Sequence, residues 1–197
     1  KWGQTCGEDC AAVPMLQSHR FHRKECVNVT ADPTIHDAAH EGFAWVKQVL
    51  AERGHPHVPV WLDVPARTCQ EAAQALGLPH TGQIAKSVIF RRKADGVAVL
   101  VVASGDKRVD EKKVAAHVGP IGRADADFVK TRTGFSIGGV SPVGHATPPV
   151  TLIDRELFRF EEVWAAAGHP HGVFRLRPSD LAHLTGGAPV ADVVQHA

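Results

Sequence analysis

Gln83-Ile84-Ala85-Lys86-Ser87-Val88-Ile89-Phe90-Arg91-Arg92-Lys93-Ala94-Asp95-Gly96-Val97-Ala98-Val99-Leu100-Val101-Val102-Ala103 reads as two strands joined by a turn. Asp95-Gly96 between two apolar runs is a strong hairpin signal, because glycine accepts the positive φ that a tight turn demands. The first strand, Gln83 to Arg92, alternates. The second, Val97 to Ala103, is apolar at every position. A strand without a polar face has both faces covered, so it belongs in the middle of a sheet with elements packed on either side. Alternation in the first strand puts Lys86 on the same face as Ile84, Val88 and Phe90. A lysine among apolar neighbours needs a negative or polar partner, or must snorkel to the sheet edge. A ligand phosphate, ester carbonyl or ribose oxygen is one such partner.

Outward from this hairpin, helical and extended patterns are interspersed. Phe43, Val46, Val49 and Leu50 recur at amphipathic helical spacing, and Gly54 stops that helix. His57 to Leu62 reads as a strand. Thr68 with Glu71 three residues on is a capping box, and Gly77 with Pro79 ends the helix it starts. Asp110 to His117 and Asp125 to Arg132 read as helices, the second ending at Gly134. Val150 to Ile153 and Val173 to Leu176 read as strands, Glu162 to Ala167 fits either state, and Ser179 is expected to cap a last helix through Leu184. The expectation is an α/β (α+β) class, built as one domain over residues 41–197, with 1–40 as an extension outside the core.

Composition sets the outer bounds. The chain has 197 residues, 44% of them hydrophobic, which suffices for one well-buried core. No apolar run approaches the roughly 20 residues that span a bilayer. Three of the four cysteines, Cys6, Cys10 and Cys26, fall in the first 26 residues, leaving only Cys69 in the body. That is not a disulfide framework and favours a reducing compartment. The expectation is therefore a cytoplasmic protein with no membrane partner. Cys6, Cys10, His19, His22 and Cys26 loosely suggest zinc but match no standard finger, so no metal ligands are assigned. Net charge is only +1, yet residues 86–132 hold 11 Lys and Arg against 6 Asp and Glu. A basic segment in a nearly neutral chain suits a polyanionic partner. Its exposed candidates are Arg91, Arg92, Lys107, Arg108, Lys112 and Lys113.

Two further segments could carry chemistry. Thr133-Gly134-Phe135-Ser136-Ile137-Gly138-Gly139-Val140-Ser141-Pro142-Val143-Gly144 has paired glycines that let a ligand approach the main chain. Its amides could hold an oxyanion or an attacking water. The spacing around Ser141 is one residue too long for a nucleophile elbow, so Ser141 is a poor nucleophile. Gly168-His169-Pro170-His171-Gly172 presents histidines suited to phosphate binding or proton transfer.

Taken in order, these segments resemble the YbaK family, which includes the editing domain of bacterial prolyl-tRNA synthetases. The resemblance rests on the lysine strand, the glycine loop about 50 residues later and Leu152-Ile153-Asp154. Thr68-x-x-Glu71-Ala72-Ala73 with Gly77, Gly168-His169-Pro170 and Asp180-Leu181 extend it from about Phe43 to Val194. It implies a mixed, barrel-like sheet flanked by helices. It implies hydrolysis of the ester between an amino acid and the terminal adenosine of tRNA, without metal, cofactor or covalent nucleophile. Lys86 matches the functional lysine, expected to clamp the substrate, and Gly138 and Gly139 match the backbone that orients water. Ser87, Ser136, Val140, Ser141, Pro142, Asp154 and His169 are then expected at the substrate. The implied partners are mischarged tRNA and a synthetase acting in trans, with the protein a monomer or weak dimer. One departure stands out: Gly168 to Val173 lacks the carboxylate some YbaK members carry there, so cysteine specificity does not carry over and Ser, Thr or Ala are equally open. The alternatives are a non-catalytic tRNA- or nucleotide-binding module on the same fold and a zinc-dependent regulator built on the N-terminal cluster.

Overall fold

In the computed structural model, residues 40–196 are described. The Cys6, Cys10, His19, His22 and Cys26 group lies outside them. Five α-helices are present among these residues: α1 (Glu41–Glu52), α2 (Cys69–Ala75), α3 (Glu111–Val118), α4 (Ala126–Thr133) and α5 (Pro178–Leu184). Eight strands accompany them: β1 (Val60–Trp61), β2 (Ile84–Arg92), β3 (Ala98–Ser104), β4 (Ile121–Arg123), β5 (Val150–Asp154), β6 (Val163–Ala166), β7 (Gly172–Leu176) and β8 (Val190–Ala191). They form one mixed sheet in the order β1-β7-β6-β2-β3-β5-β8, with β4 added to β2. This is the mixed sheet flanked by helices that the sequence implies. Its strand order runs from β1 to β8 as an open path.

The hairpin forms as expected. β2 and β3 pair antiparallel with Lys86 opposite Ala103, Val88 opposite Val101 and Phe90 opposite Val99. Gly96 turns the chain at φ 68°. Val99 to Ala103 are fully buried, because β3 separates two apolar layers. Ala85, Ile89, Leu100 and Val102 pack with Val46 and Leu50 of α1, Val129 of α4 and Leu181 of α5. On the opposite face Phe90, Val99, Val101 and Ala103 pack with Val114 of α3, Ile121 and Val194. A third, smaller cluster joins α2 (Ala72, Ala73) to Leu62, Ala66, Ile84 and Val173. The capping box is present in full: Glu71 N–H donates to Thr68 Oγ1 (3.2 Å) and Thr68 N–H donates to Glu71 Oε2 (3.1 Å).

Two local expectations are corrected, one open reading is settled and two short strands are added. The strand expected over His57 to Leu62 shrinks to Val60–Trp61, since Pro56 and Pro59 have no N–H to give a ladder. Ser179 does not cap α5. Arg177 is the N-cap and Pro178 opens the helix, while Asp180 Oδ2 accepts from Arg177 N–H (3.2 Å). Glu162 to Ala167 resolves as strand β6. The short strands β4 and β8 were not legible in the sequence.

The feature that positions the site is the second edge of β2. β3 covers one edge along almost its whole length. The other edge is shared: β6 pairs in parallel with Ile84 and Ala85, and β4 pairs antiparallel with Phe90, Arg91 and Arg92. Among the described residues, no strand therefore lies beside 86–89 on that side. Arg92 N–H points to β3, donating to Val97 O (2.9 Å), whereas Lys93 N–H points outward to Pro120 O (2.8 Å). Amides alternate along a strand, so the N–H and C=O of Ser87 face the gap.

Candidate active site

A cavity of about 380 Å³ occupies this gap. Its back wall is Lys86 to Ile89 of β2. Arg67, Thr68 and Cys69, at the capped start of α2, form one side. Trp164 to Ala166 of β6 form another, and Ile137, Gly138, Val140, His169 and Pro170 close the front. The walls are mainly aliphatic and the polar groups few, as in small-molecule sites generally.

Lys86 sits on the face expected of it, half-buried. Its ammonium is already partnered: Nζ donates to Gly105 O (3.4 Å) and to Lys107 O. The chain thus satisfies the lysine with two main-chain carbonyls from the turn after β3, and places the charge at the cavity wall. Next to it, the Ser87 Oγ is buried without a hydrogen-bond partner, an orphan that costs free energy unless something else meets it. Burial pushes the Cys69 thiol up, against the pull of Lys86. It is therefore a thiol, not a thiolate nucleophile, at neutral pH.

The two glycines do different work. Gly138 lies at φ 92°, where a Cβ would meet Arg67 at ordinary van der Waals distance (3.7 Å to its Cα), and its N–H has no acceptor among the described residues. Gly139 N–H is already donated to Ser136 O (3.0 Å), so it does not face a ligand, contrary to expectation. Its lack of a side chain serves packing: a Cβ there would lie 2.8 Å from His169 Cα. The glycine loop and the His169 loop are in this way pressed into one wall.

His169 stacks on Trp61 (4.8 Å between ring centroids), which stacks in turn on His40 (4.4 Å) and His171 (5.2 Å). Burial, and then the nearby His171 and His40, hold His169 below the ordinary histidine range, leaving a neutral imidazole. His171 N–H donates to His169 Nδ1 (3.2 Å), so the proton is assigned to Nε2, a donor.

The remaining expected site residues divide. Ser87 and Val140 line the cavity. Ser136 is exposed and outside its lining. Ser141 is fully buried behind the loop, its Oγ accepting from Val143 N–H (3.2 Å), and Pro142 is buried beside it. Asp154 is also fully buried. Its carboxylate accepts from Ser104 N–H and Glu156 N–H (both 3.1 Å), tying β3 to the end of β5. It is a structural group and not a ligand contact. Among the basic candidates, Arg92 pairs with Asp95 (2.7 Å) and Lys113 with Asp192 (2.8 Å), and Arg91 lies over the Phe128 ring. Lys107, Arg108 and Lys112 form no ion pair among the described residues. Arg67, Cys69 and Trp164 were missed as lining. Only the capping box, which fixes where α2 begins, hinted at the first two.

The structure defines an α/β domain with a mixed sheet and a largely aliphatic cavity set into a gap beside its central hairpin. The chain belongs to the aminoacyl-tRNA editing domain family, whose model matches residues 63–184. It is 35% identical over 124 residues to the uncharacterized protein YwhH of Bacillus subtilis (strain 168), covering 62% of this chain and 78% of that protein. Among solved structures it resembles a proposed trans-editing enzyme for prolyl tRNA synthetase, at 42% identity and a TM-score of 0.73, covering 79% of this chain and 98% of that one. It also resembles the hypothetical protein APE2540, at 30% identity and a TM-score of 0.70, covering 77% and 99%. The YbaK resemblance and the fold it implied are thereby confirmed. None of the described helices is long and apolar enough to cross a membrane.

Proposed function

We propose that this chain is a deacylase that acts in trans, removing wrongly attached amino acids from tRNA by hydrolysing the ester to the terminal adenosine. The observation that carries this is a single cavity lined by Lys86, by Gly138, whose N–H has no acceptor among the described residues, and by Ser87, whose buried hydroxyl has no partner. Water adds to the ester carbonyl carbon, the bond from that carbon to the ribose oxygen breaks, and a proton passes to the departing ribose oxygen. Lys86 clamps the 3′ end and stabilises the developing negative charge. The Gly138 amide orients the water or the oxyanion. The neighbouring ribose hydroxyl relays the proton, so positioning does most of the work on an ester that is already activated. Cysteine and serine nucleophiles are not needed: Cys69 is held as a thiol, and Ser141 is sealed behind the loop.

Among the described residues no carboxylate lines the cavity, and its aliphatic walls favour an aminoacyl group with a small, uncharged side chain. The test is a panel of tRNAs mischarged with Ala, Ser, Thr and Cys. The solved trans-editing relative directs the panel first to tRNA for proline. Release of one of these amino acids, and sparing of correctly charged Pro-tRNA, is the expected result. Binding of tRNA without any release would replace the hydrolase with a binding module.

A further inference from the structure

A second cavity, of about 600 Å³, lies on the other side of Lys86. Lys86, Val88, Ile89 and Ala124 line both cavities, so the two are neighbours across the open stretch of β2. Their chemistry differs. The first is aliphatic. The second has Lys86, Lys107, Arg108 and Arg123 against Asp106 and Glu111. Asp106 is occupied by Arg159 (2.5 Å), while Lys107, Arg108 and Arg123 form no ion pair among the described residues. Arg123 is the last residue of β4, paired with Phe90 and exposed where that strand stops. The open stretch of β2 begins there. The third cavity, around Glu52, Arg53 and His183, shares no residue with either.

We infer that this second cavity binds the sugar-phosphate backbone of the single-stranded 3′ end that leads into the first, with Arg123 and Arg108 on its phosphates. The inference rests on the reading of the first cavity as the seat of the aminoacylated adenosine. An adenosine seated there is the end of a polymer, and the chain preceding it must leave through an opening next to the first cavity. The second cavity shares a wall with it and has an excess of unpaired cations. Its one aromatic residue, Phe90, is buried, so it offers no ring on which a base could stack. It suits phosphate contacts, which position a nucleic acid without reading its sequence. Arg123 was not among the basic residues singled out from sequence, because nothing there shows that β4 ends at this gap.

The test is binding, measured by fluorescence anisotropy, of an uncharged RNA hairpin with a single-stranded 3′ CCA, beside the same hairpin made blunt. Wild-type protein is expected to prefer the overhang. Arg123→Glu should lower overhang affinity on the order of tenfold and Arg123→Gln by less. Each should also reduce the slope of log affinity against log salt, by about one for loss of a single phosphate contact. Lys130→Glu, an exposed change on α4 outside both cavities, is the control. Melting curves for each variant confirm folding. No preference for the overhang, unchanged affinity in both Arg123 variants, or an equal loss in Lys130→Glu would overturn the inference. The readout needs no hydrolysis. A protein that binds the overhang through Arg123 but releases no amino acid sinks only the deacylase reading. One that deacylates tRNA with KM unchanged in Arg123→Glu sinks only this one.

Discussion

Lys86 shows what a residue's position in a strand can and cannot tell. Alternation alone put its ammonium on the face of Val88 and Phe90, and the fold keeps it there. What the alternation could not supply was the partner. The carbonyls of Gly105 and Lys107 come from a turn whose path depends on the whole hairpin. Lys86→Ala therefore removes two hydrogen bonds from a half-buried charge, and its stability should fall modestly, by about 1–2 kcal/mol after allowance for solvent. That is a few degrees in Tm for a domain of this size. Loss of a charged contact to the transition state should cost far more, on the order of 10²-fold in kcat/KM. Lys86→Arg should be nearly as inactive, since a planar guanidinium does not replace a compact ammonium between two carbonyls. Deacylation assays beside melting curves decide the matter: near-normal turnover in Lys86→Ala refutes the clamp, and a lost melting transition makes Lys86 a structural residue. Ser141 and Asp154 illustrate the opposite case. Both stand in motifs that pointed to the ligand, yet both are fully buried and satisfied by main-chain amides. A polar residue in a motif looks the same in sequence whether it meets ligand or backbone.

At the scale of elements, those with a strong local signal were legible. The capping box at Thr68, the Asp95-Gly96 turn and the wholly apolar β3 each combine a local preference with a demand for burial, and each formed. The elements that escaped are short. β4 and β8 have three and two residues, too few for a period, and they exist only because β2 and β5 offer them an edge. Yet β4 matters most for the site, because the point where it stops opens the gap in which the cavity lies. The glycine loop shows the same dependence on neighbours. Gly138→Ala meets Arg67 only at ordinary contact distance but holds a positive φ, which should cost about 1–2 kcal/mol while leaving the wall in place. Gly139→Ala drives a Cβ to 2.8 Å from the His169 main chain. Main chain cannot swing aside as a side-chain tip can, so the two loops must separate. The expected cost is about 1–3 kcal/mol together with a larger loss of kcat/KM than in Gly138→Ala. Gly139→Ala with wild-type melting and turnover would show that the two loops are not one wall.

For the molecule as a whole, the main apolar cluster draws on α1, β2, β3, α4 and α5, and the sequence shows no core periodicity before Ala39. A chain lacking residues 1–38 should accordingly fold and keep its activity, with a cooperative melting transition as the measurement; loss of cooperativity would place that segment in the core. The same core sets the response of stability to acid through His145. Burial, which outweighs its hydrogen bond to Ser141 O (2.8 Å), pushes its pKa from the ordinary 6.5 down to about 4. The folded protein thus holds a neutral imidazole under conditions where the unfolded chain takes up a proton. Stability is complete above the unfolded value and is lost as pH falls from about 6.5 toward 4, by about 3 kcal/mol over that window. Asp154 opposes this trend, since burial raises its pKa and its folded form gains a proton more readily. Asp192, held at about 2 chiefly by Lys113, adds its loss only at lower pH. Between 6.5 and 4 the slope should therefore come chiefly from His145, with His169, which burial also holds below the ordinary histidine range, adding in the same direction. His145→Gln keeps a donor for the Ser141 carbonyl without a titrating ring. Urea unfolding of both proteins from pH 4 to 8 should show a steep fall in the parent and a flatter one in the variant. Parallel curves would mean that His145 takes up its proton in the folded state as easily as in the unfolded chain, and that the acid response arises elsewhere.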